Sequence, residues 1–248
     1  MKTHPLLAAA FSMGVLLASS AFALTPSDGY TALKVIQTSN PMFPLQLLTY
    51  RTGEARLAIN VDDQGVLKET LVLGYTQKAF ADAALAAVKT WRFEPARLNG
   101  QPVGAVAEFT FNFETKGAVI SLTAQEAMET IFNDMRGNRR YEYGLALVRE
   151  LDSVPTPISA VTPAYPLALS RDGAVGAVSI DFFIDETGAV RMPAVTRAND
   201  FRLADLAVAA LQQWKFAAPT RRGDPVPVRV SQSFNFVANT ASPARASR

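Results

Sequence analysis

Cysteine is missing from the chain, and its one histidine is His4. Without thiols there is no disulfide framework, no thiolate nucleophile and no lipid-attachment cysteine. Beyond His4 there is no imidazole either, so Cys/His zinc sites, Ser-His-Asp triads and imidazole acid–base chemistry are excluded from everything downstream. An excess of either charge is also missing. Its 24 Lys and Arg against 22 Asp and Glu leave a formal net charge of +2, too small a field to draw nucleic acid or an acidic membrane surface. After Ala23 no apolar run approaches the ~20 residues that a spanning helix needs. These absences predict a protein with no cofactor, no metal and no nucleic-acid partner.

What is there begins with Met1 to Ala23, which has the form of a secretory signal. Lys2 supplies the positive start, Leu6 to Leu17 the apolar stretch, and Ala21-Phe22-Ala23 the small-x-small cleavage site. Ser12, Gly14, Ser19 and Ser20 thin the apolar run below what a membrane anchor wants. Export and cleavage are therefore predicted, with Leu24 as the first mature residue; an uncleaved signal holding the chain at the inner membrane is the lesser alternative. The 248 residues are 49% hydrophobic and 19% charged, a globular balance that suits two small cores.

Two cores are what the chain repeats. The stretch WRFEPARLNGQPV (Trp91 to Val103) returns as WKFAAPTRRGDPV (Trp214 to Val226), and both tryptophans of the chain lie in it. A shift of 123 positions lays Gly53 on Gly176, Asp62 on Asp185, Gly65 on Gly188, Asp82 on Asp205, and Phe111-Asn112-Phe113 on Phe234-Asn235-Phe236. Upstream, Pro44 meets Pro166 at a shift of 122. The chain is a duplication.

Each copy reads as strand, turn, strand, helix, loop, strand. Ala55, Leu57, Ile59 and Val61 alternate with less apolar residues, as do Val178, Ile180, Phe182 and Ile184, which predicts a strand with one buried face. Asp62-Asp-Gln-Gly65 and Asp185-Glu-Thr-Gly188 then close a hairpin, with Asp opening the turn and Gly ending it. At such a corner the Asp62–Asp63 pair is turn chemistry rather than acid–base machinery. Return strands follow at about 66–73 and 189–196, and Pro193 places the second of them at a sheet edge, because proline cannot donate to a ladder. Phe80, Ala84, Val88 and Trp91, like Leu203, Ala207, Leu211 and Trp214, recur at helical spacing, with Asn199 or Asp200 as a cap. Both tryptophans are expected in the core, anchoring a helix to its sheet rather than stacking on a ligand. A last strand carries Ala107, Phe109, Phe111 and Phe113 inward, matched by Val230, Phe234 and Phe236, with Gln232 breaking the pattern once.

Between the copies, Thr123-Ala-Gln-Glu126 is a capping box that predicts a helix ending near Gly137, and a second helical segment is expected around Tyr141 to Leu151. Arg136, Arg139 and Arg140 read as a solvated helix end. Pro155, Pro157, Pro163 and Pro166 mark an extended linker. The predicted layout is a signal at 1–23, a linker at 24–39, a first domain at 40–115, a helical and Pro-containing linker at 116–162, a second domain at 163–238 and a disordered tail at 239–248.

Taken together, the proline before a short helix, the Gly-led strand, Asp-x-x-Gly, the alanine-rich helix closing on Trp-(Arg/Lys)-Phe, Gly-x-Pro-Val and the final Phe-Asn-Phe resemble the TonB C-terminal domain family, twice in one chain. The resemblance implies an α+β fold of two β-β-α-β domains, each a three-stranded antiparallel sheet with one packed helix, joined by a helical linker. It implies a Gram-negative periplasm and a last strand whose open edge accepts an extended segment of an outer-membrane transporter, through which inner-membrane energy is passed outward. Carried over by position, the accepting residues are Val228, Arg229, Val230, Ser231, Gln232, Ser233, Phe234, Asn235 and Phe236 in the second copy, and Val106, Glu108, Thr110 and Asn112 in the first. Departing from a full transducer, the sequence shows no retained anchor, no histidine-bearing membrane segment and no long Pro-rich arm.

The implied partners are envelope proteins, TonB-dependent outer-membrane receptors among them. Two arrangements remain open: a periplasmic module that binds partner segments by strand addition, or a scaffold whose two repeats pair their edges with each other or with a second copy and accept no peptide. Catalysis by Asp62, Asp185 or Glu94 ranks last, because the aspartates have turn roles and Glu94 has Ala217 in its twin position. The chain is read as no enzyme.

Overall fold

Period-two alternation builds the strands, and two hairpin turns fix their register. The computed structural model describes residues 29–50, 52–114, 117–121, 141–166, 168–169 and 172–237. In chain order the main elements are β1 (Thr52–Val61), β2 (Leu67–Tyr75), α1 (Lys78–Val88), β3 (Ala105–Glu114), β4 (Gly117–Ser121), β5 (Tyr143–Gly144), β6 (Gly176–Ile184), β7 (Val190–Ala198), α2 (Ala204–Leu211) and β8 (Val228–Phe236). The first repeat carries an antiparallel sheet in the order β5-β2-β1-β3-β4, and the second a three-stranded sheet in the order β7-β6-β8. The predicted inward residues, Ala55, Leu57, Ile59 and Val61, and Val178, Ile180, Phe182 and Ile184, are all buried, but the expectation of a single buried face is corrected, because Ala58 and Phe183 on the opposite face are buried as well. One helix covers the predicted inward face of each sheet, turning Phe80, Ala84 and Val88 inward in the first repeat and Ala207 and Leu211 in the second.

The hairpin turns are closed by their aspartates. Asp62 Oδ1 accepts from the N–H groups of Gln64 and Val66 at 2.9 and 2.8 Å, and Asp185 Oδ1 accepts from those of Thr187 and Ala189 at 3.0 Å each. Gly65 and Gly188 end the turns at φ +81° and +82°, and a Cβ there would stand 2.4 Å from the Phe93 carbonyl oxygen or 2.0 Å from that of Phe216. Hairpin and Trp-x-Phe segment thus pack backbone to backbone, which ties together the two most faithfully repeated parts of the sequence. Beyond the phenylalanine, the predicted loop is a small hairpin of its own. Asn99-Gly100 and Arg222-Gly223 both sit at positive φ, the pair that a tight two-residue turn asks for.

Several expectations change. The helix expected around Tyr141 to Leu151 is instead the short strand β5 followed by a 3-10 turn at Val148–Glu150. Tyr141, Tyr143 and Leu145 alternate, β2 offers an unpaired edge, and the Tyr143 ring stacks on that of Tyr75 at 5.1 Å, so sheet pairing overrides helical spacing. Segments read as linker also pair: Lys34–Gln37 lies against Arg92–Glu94, and Pro157–Ser159 against Lys215–Phe216, the same arrangement in each repeat. The second helix opens with a 3-10 turn, Phe201–Leu203, capped by Asp200. Pro193 does lie on an edge strand, β7, beside a bulge where Met192 takes φ +48°. The expected signal (Met1 to Ala23), the helix from Thr123 with its arginines Arg136, Arg139 and Arg140, and the tail after Asn239 fall outside the described residues.

The repeats pack on each other, but by faces and not by edges. Ala58, Leu71, Leu73 and Val106 of the first sheet meet Phe183 and Met192 of the second, with Leu145 of the connecting segment alongside. Arg191 bridges the repeats from Asp185 to Glu69, and the Tyr143 hydroxyl donates to Glu186. Among the described residues no strand of one repeat is laddered to a strand of the other, so the edge-to-edge pairing entertained above is corrected to a face-to-face contact.

Candidate functional site

The two repeats treat their last strands differently. In the first, β4 adds antiparallel to β3 from Thr110–Ser121 to Glu114–Gly117, so Thr110 and Asn112 already face a strand of the same chain. At the other edge of that sheet β5 pairs with β2. Val106 is buried against the second repeat, and Glu108 points the same way, with Arg56 at 3.9 Å and Arg229 at 3.7 Å. Burial pushes the Glu108 carboxyl above its ordinary value, against the pull of both guanidinium groups, and its Oε1 accepts no hydrogen bond. These four residues do form the last strand, but their polar side is committed within the chain.

In the second repeat, β8 pairs with β6 along its whole length, from Gly176–Phe236 to Ile184–Val228. On its outer side Ala146 makes a single parallel bridge to Val228, its N–H donating to the Pro227 carbonyl. From Val230 to Phe236 no described strand lies against it. This stretch carries no charge and no proline, two of the devices by which exposed edges are blunted.

Which backbone groups face outward follows from Ala177. Its N–H donates to Asn199 Oδ1 at 3.0 Å and its C=O accepts from the Asn199 N–H at 3.1 Å, so both groups point toward β7. The Thr196 hydroxyl donates to the Ser179 carbonyl from that side as well. In an antiparallel ladder, residues opposite one another either exchange both bonds or turn both away. The partners of Ala177, Ser179 and Asp181, namely Asn235, Ser233 and Ser231, therefore turn their N–H and C=O groups outward. Val230, Gln232, Phe234 and Phe236 turn theirs to β6.

Beside this edge runs a groove of about 370 Å³, bordered by the 160–165 segment and by Tyr165, Trp214, Gln232, Phe234 and Phe236. Trp214 is held in place from its indole nitrogen, which donates to the Val161 carbonyl at 2.8 Å. Its ring meets that of Phe234 edge-on at 5.5 Å, and Tyr165 meets Phe236 in the same way at 5.5 Å. The core role expected for both tryptophans holds for Trp91, which is 5% exposed, and needs correction for Trp214, which is half-buried and forms a groove wall. Tyr165 and Val161 escaped the sequence reading; extending the 122-position shift from Pro166 would have set Tyr165 on Phe43 and Val161 on Ser39, whose carbonyl accepts from the Trp91 indole.

Asp62 and Asp185 are consumed by their turns. For Asp185, burial works to raise the carboxyl, but Thr187, Ala189 and Arg191 outweigh it and hold it below the ordinary value. Among the described residues no three His, Cys, Asp or Glu gather in a metal-binding group, and no helix there is long and apolar enough to cross a membrane.

The family model described as Gram-negative bacterial TonB protein C-terminal matches the chain twice, at residues 48–115 and 161–238. No curated protein matches it.

Proposed function

The chain belongs to the TonB C-terminal family, which it carries in tandem, and from that premise we propose that it is a protein-binding module of the Gram-negative envelope whose second repeat takes up an extended partner segment as a fourth strand on β8. The observation that carries this reading is the outward row of Ser231, Ser233 and Asn235 backbone groups with no described strand against it. The first repeat supports it by contrast, because there the chain's own β4 occupies the corresponding edge. Strand addition is thus a pairing this fold already makes.

The protein works in the periplasm, delivered by the cleaved signal, and its partners are envelope proteins that present extended segments, outer-membrane transporters among them. It has no catalytic role. The first repeat, flanked in part by its own chain's β4 on one side and β5 on the other and with its far face packed on the second repeat, braces the binding repeat.

Peptides from the periplasm-facing N-terminal segments of TonB-dependent transporters, labelled for fluorescence anisotropy, test the proposal. They bind the unaltered protein and fail to bind the Ser233→Pro variant, whose proline removes an outward N–H. Equal binding by both proteins, or by neither, overturns it.

A further inference from the structure

The repeats match at almost every core position of their last strands except one. Phe109 of the first repeat stands where the second has Gln232. In the first repeat the Phe109 ring lies edge-on to Trp91, centroids 5.3 Å apart, and Trp91 is sealed. In the second, Gln232 offers no ring, its amide donates to the neighbouring Ser233 carbonyl at 2.9 Å, and Trp214 looks into the groove. The rest of the aromatic frame is kept: Trp91–Phe111 and Trp214–Phe234 stand at 5.6 and 5.5 Å. Phe43 and Tyr165 pack edge-on against Phe113 and Phe236.

From this difference we infer that the groove is a side-chain subsite, opened by Gln232 and walled by Trp214 and Tyr165, that selects partner segments with large apolar residues at alternate positions. The inference rests on the strand-addition reading and names the chemistry of the segment that is added. A strand laid on β8 places every second side chain on the face of Gln232, Phe234 and Phe236, the face on which the groove opens. The intervening side chains fall on the side of Ser231, Ser233 and Asn235, which is exposed and polar. The complementary segment therefore alternates aromatic or long aliphatic residues with small polar ones.

Energetics require such a subsite. Three outward residues supply only six backbone groups, one of them the Ser233 carbonyl that already accepts from the Gln232 amide, and the net gain from so few hydrogen bonds is small beside the freedom lost on association. A ladder of that length has little affinity left over. Apolar side chains entering a groove add the rest, and they make the choice between partners.

The test uses a synthetic peptide alternating leucine with threonine and a second peptide in which alanine replaces each leucine, both measured by titration calorimetry on the whole mature chain. The unaltered protein binds the leucine peptide about tenfold or more tightly than the alanine peptide, the worth of burying such side chains. Gln232→Phe, which rebuilds the first repeat's seal, abolishes that preference while a weak, equal affinity for both peptides persists. Gln232→Leu serves the same purpose where phenylalanine disturbs melting. Equal affinity of the unaltered protein for the two peptides overturns the subsite and leaves strand addition standing. An unchanged preference in both variants also overturns it. Binding of neither peptide overturns both readings, as does a dimer in sedimentation that survives excess peptide, since a second copy would then fill the edge.

Discussion

Trp91 and Trp214 donate from their indole nitrogens to equivalent carbonyls, those of Ser39 and Val161, at 3.0 and 2.8 Å, yet only Trp91 is closed off from solvent. The same residue in the same frame serves as a core anchor in one repeat and as a groove wall in the other. Their replacements separate accordingly. Trp91→Ala costs about 3–5 kcal/mol, the range for truncating a buried aromatic, and Trp214→Ala roughly 1–3 kcal/mol, as for a side chain only partly removed from water. Chemical denaturation of the two variants measures this. Trp214→Ala also weakens peptide binding under conditions where it remains folded, and Trp91→Ala does not.

Gly188 answers to two constraints at once. Alanine there meets the penalty of a left-handed backbone, about 1–3 kcal/mol, and places a Cβ 2.0 Å from the Phe216 carbonyl oxygen. Gly188→Ala is therefore expected to lower the denaturation midpoint more than Gly223→Ala, whose Cβ would meet nothing within 4 Å at a similar φ.

Asp185 predicts an acid limb. Its carboxyl is held below the ordinary value in the folded protein, so the stability it confers is complete above the usual unfolded value of about 3.9 and is lost as pH falls through the lower folded value. Asp185→Asn is destabilising near neutral pH, and its difference from the unaltered protein narrows below about pH 4. Urea midpoints measured across that range show the narrowing. A difference that widened on acidification would place the interaction elsewhere.

Proline scanning along β8 reads the orientation of the strand. Ser231→Pro and Ser233→Pro remove N–H groups that point away from β6, so both variants keep their fold and lose peptide binding. Gln232→Pro removes a ladder hydrogen bond and destabilises the repeat. Circular dichroism melting with peptide titration separates the three.

Much of each repeat is legible in the sequence because its signals are local. The alternation from Ala55 to Val61, the Asp-x-x-Gly turns and the helical spacing of Phe80, Ala84 and Val88 each state their own structure. What fails depends on partners distant in the chain. Tyr143 joins a sheet only because β2 presents an edge beside it, and Lys34–Gln37 is a strand only against Arg92–Glu94. The site divides in the same way. Its residues follow from the repeat, with Gln232 visible as the odd position. That Thr110 and Asn112 have a strand on their outer side while, among the described residues, Ser231 and Ser233 have one only on the β6 side is written in the topology.

Backbone amide hydrogen exchange resolved to single residues, with and without the leucine–threonine peptide, tests the central claim most directly. The account predicts that Ser231, Ser233 and Asn235 exchange quickly in the free protein and slow on binding, while Gln232 and Phe234, bonded to β6, are slow throughout. Outward amides already protected in the free protein, or unchanged with peptide bound, would contradict it.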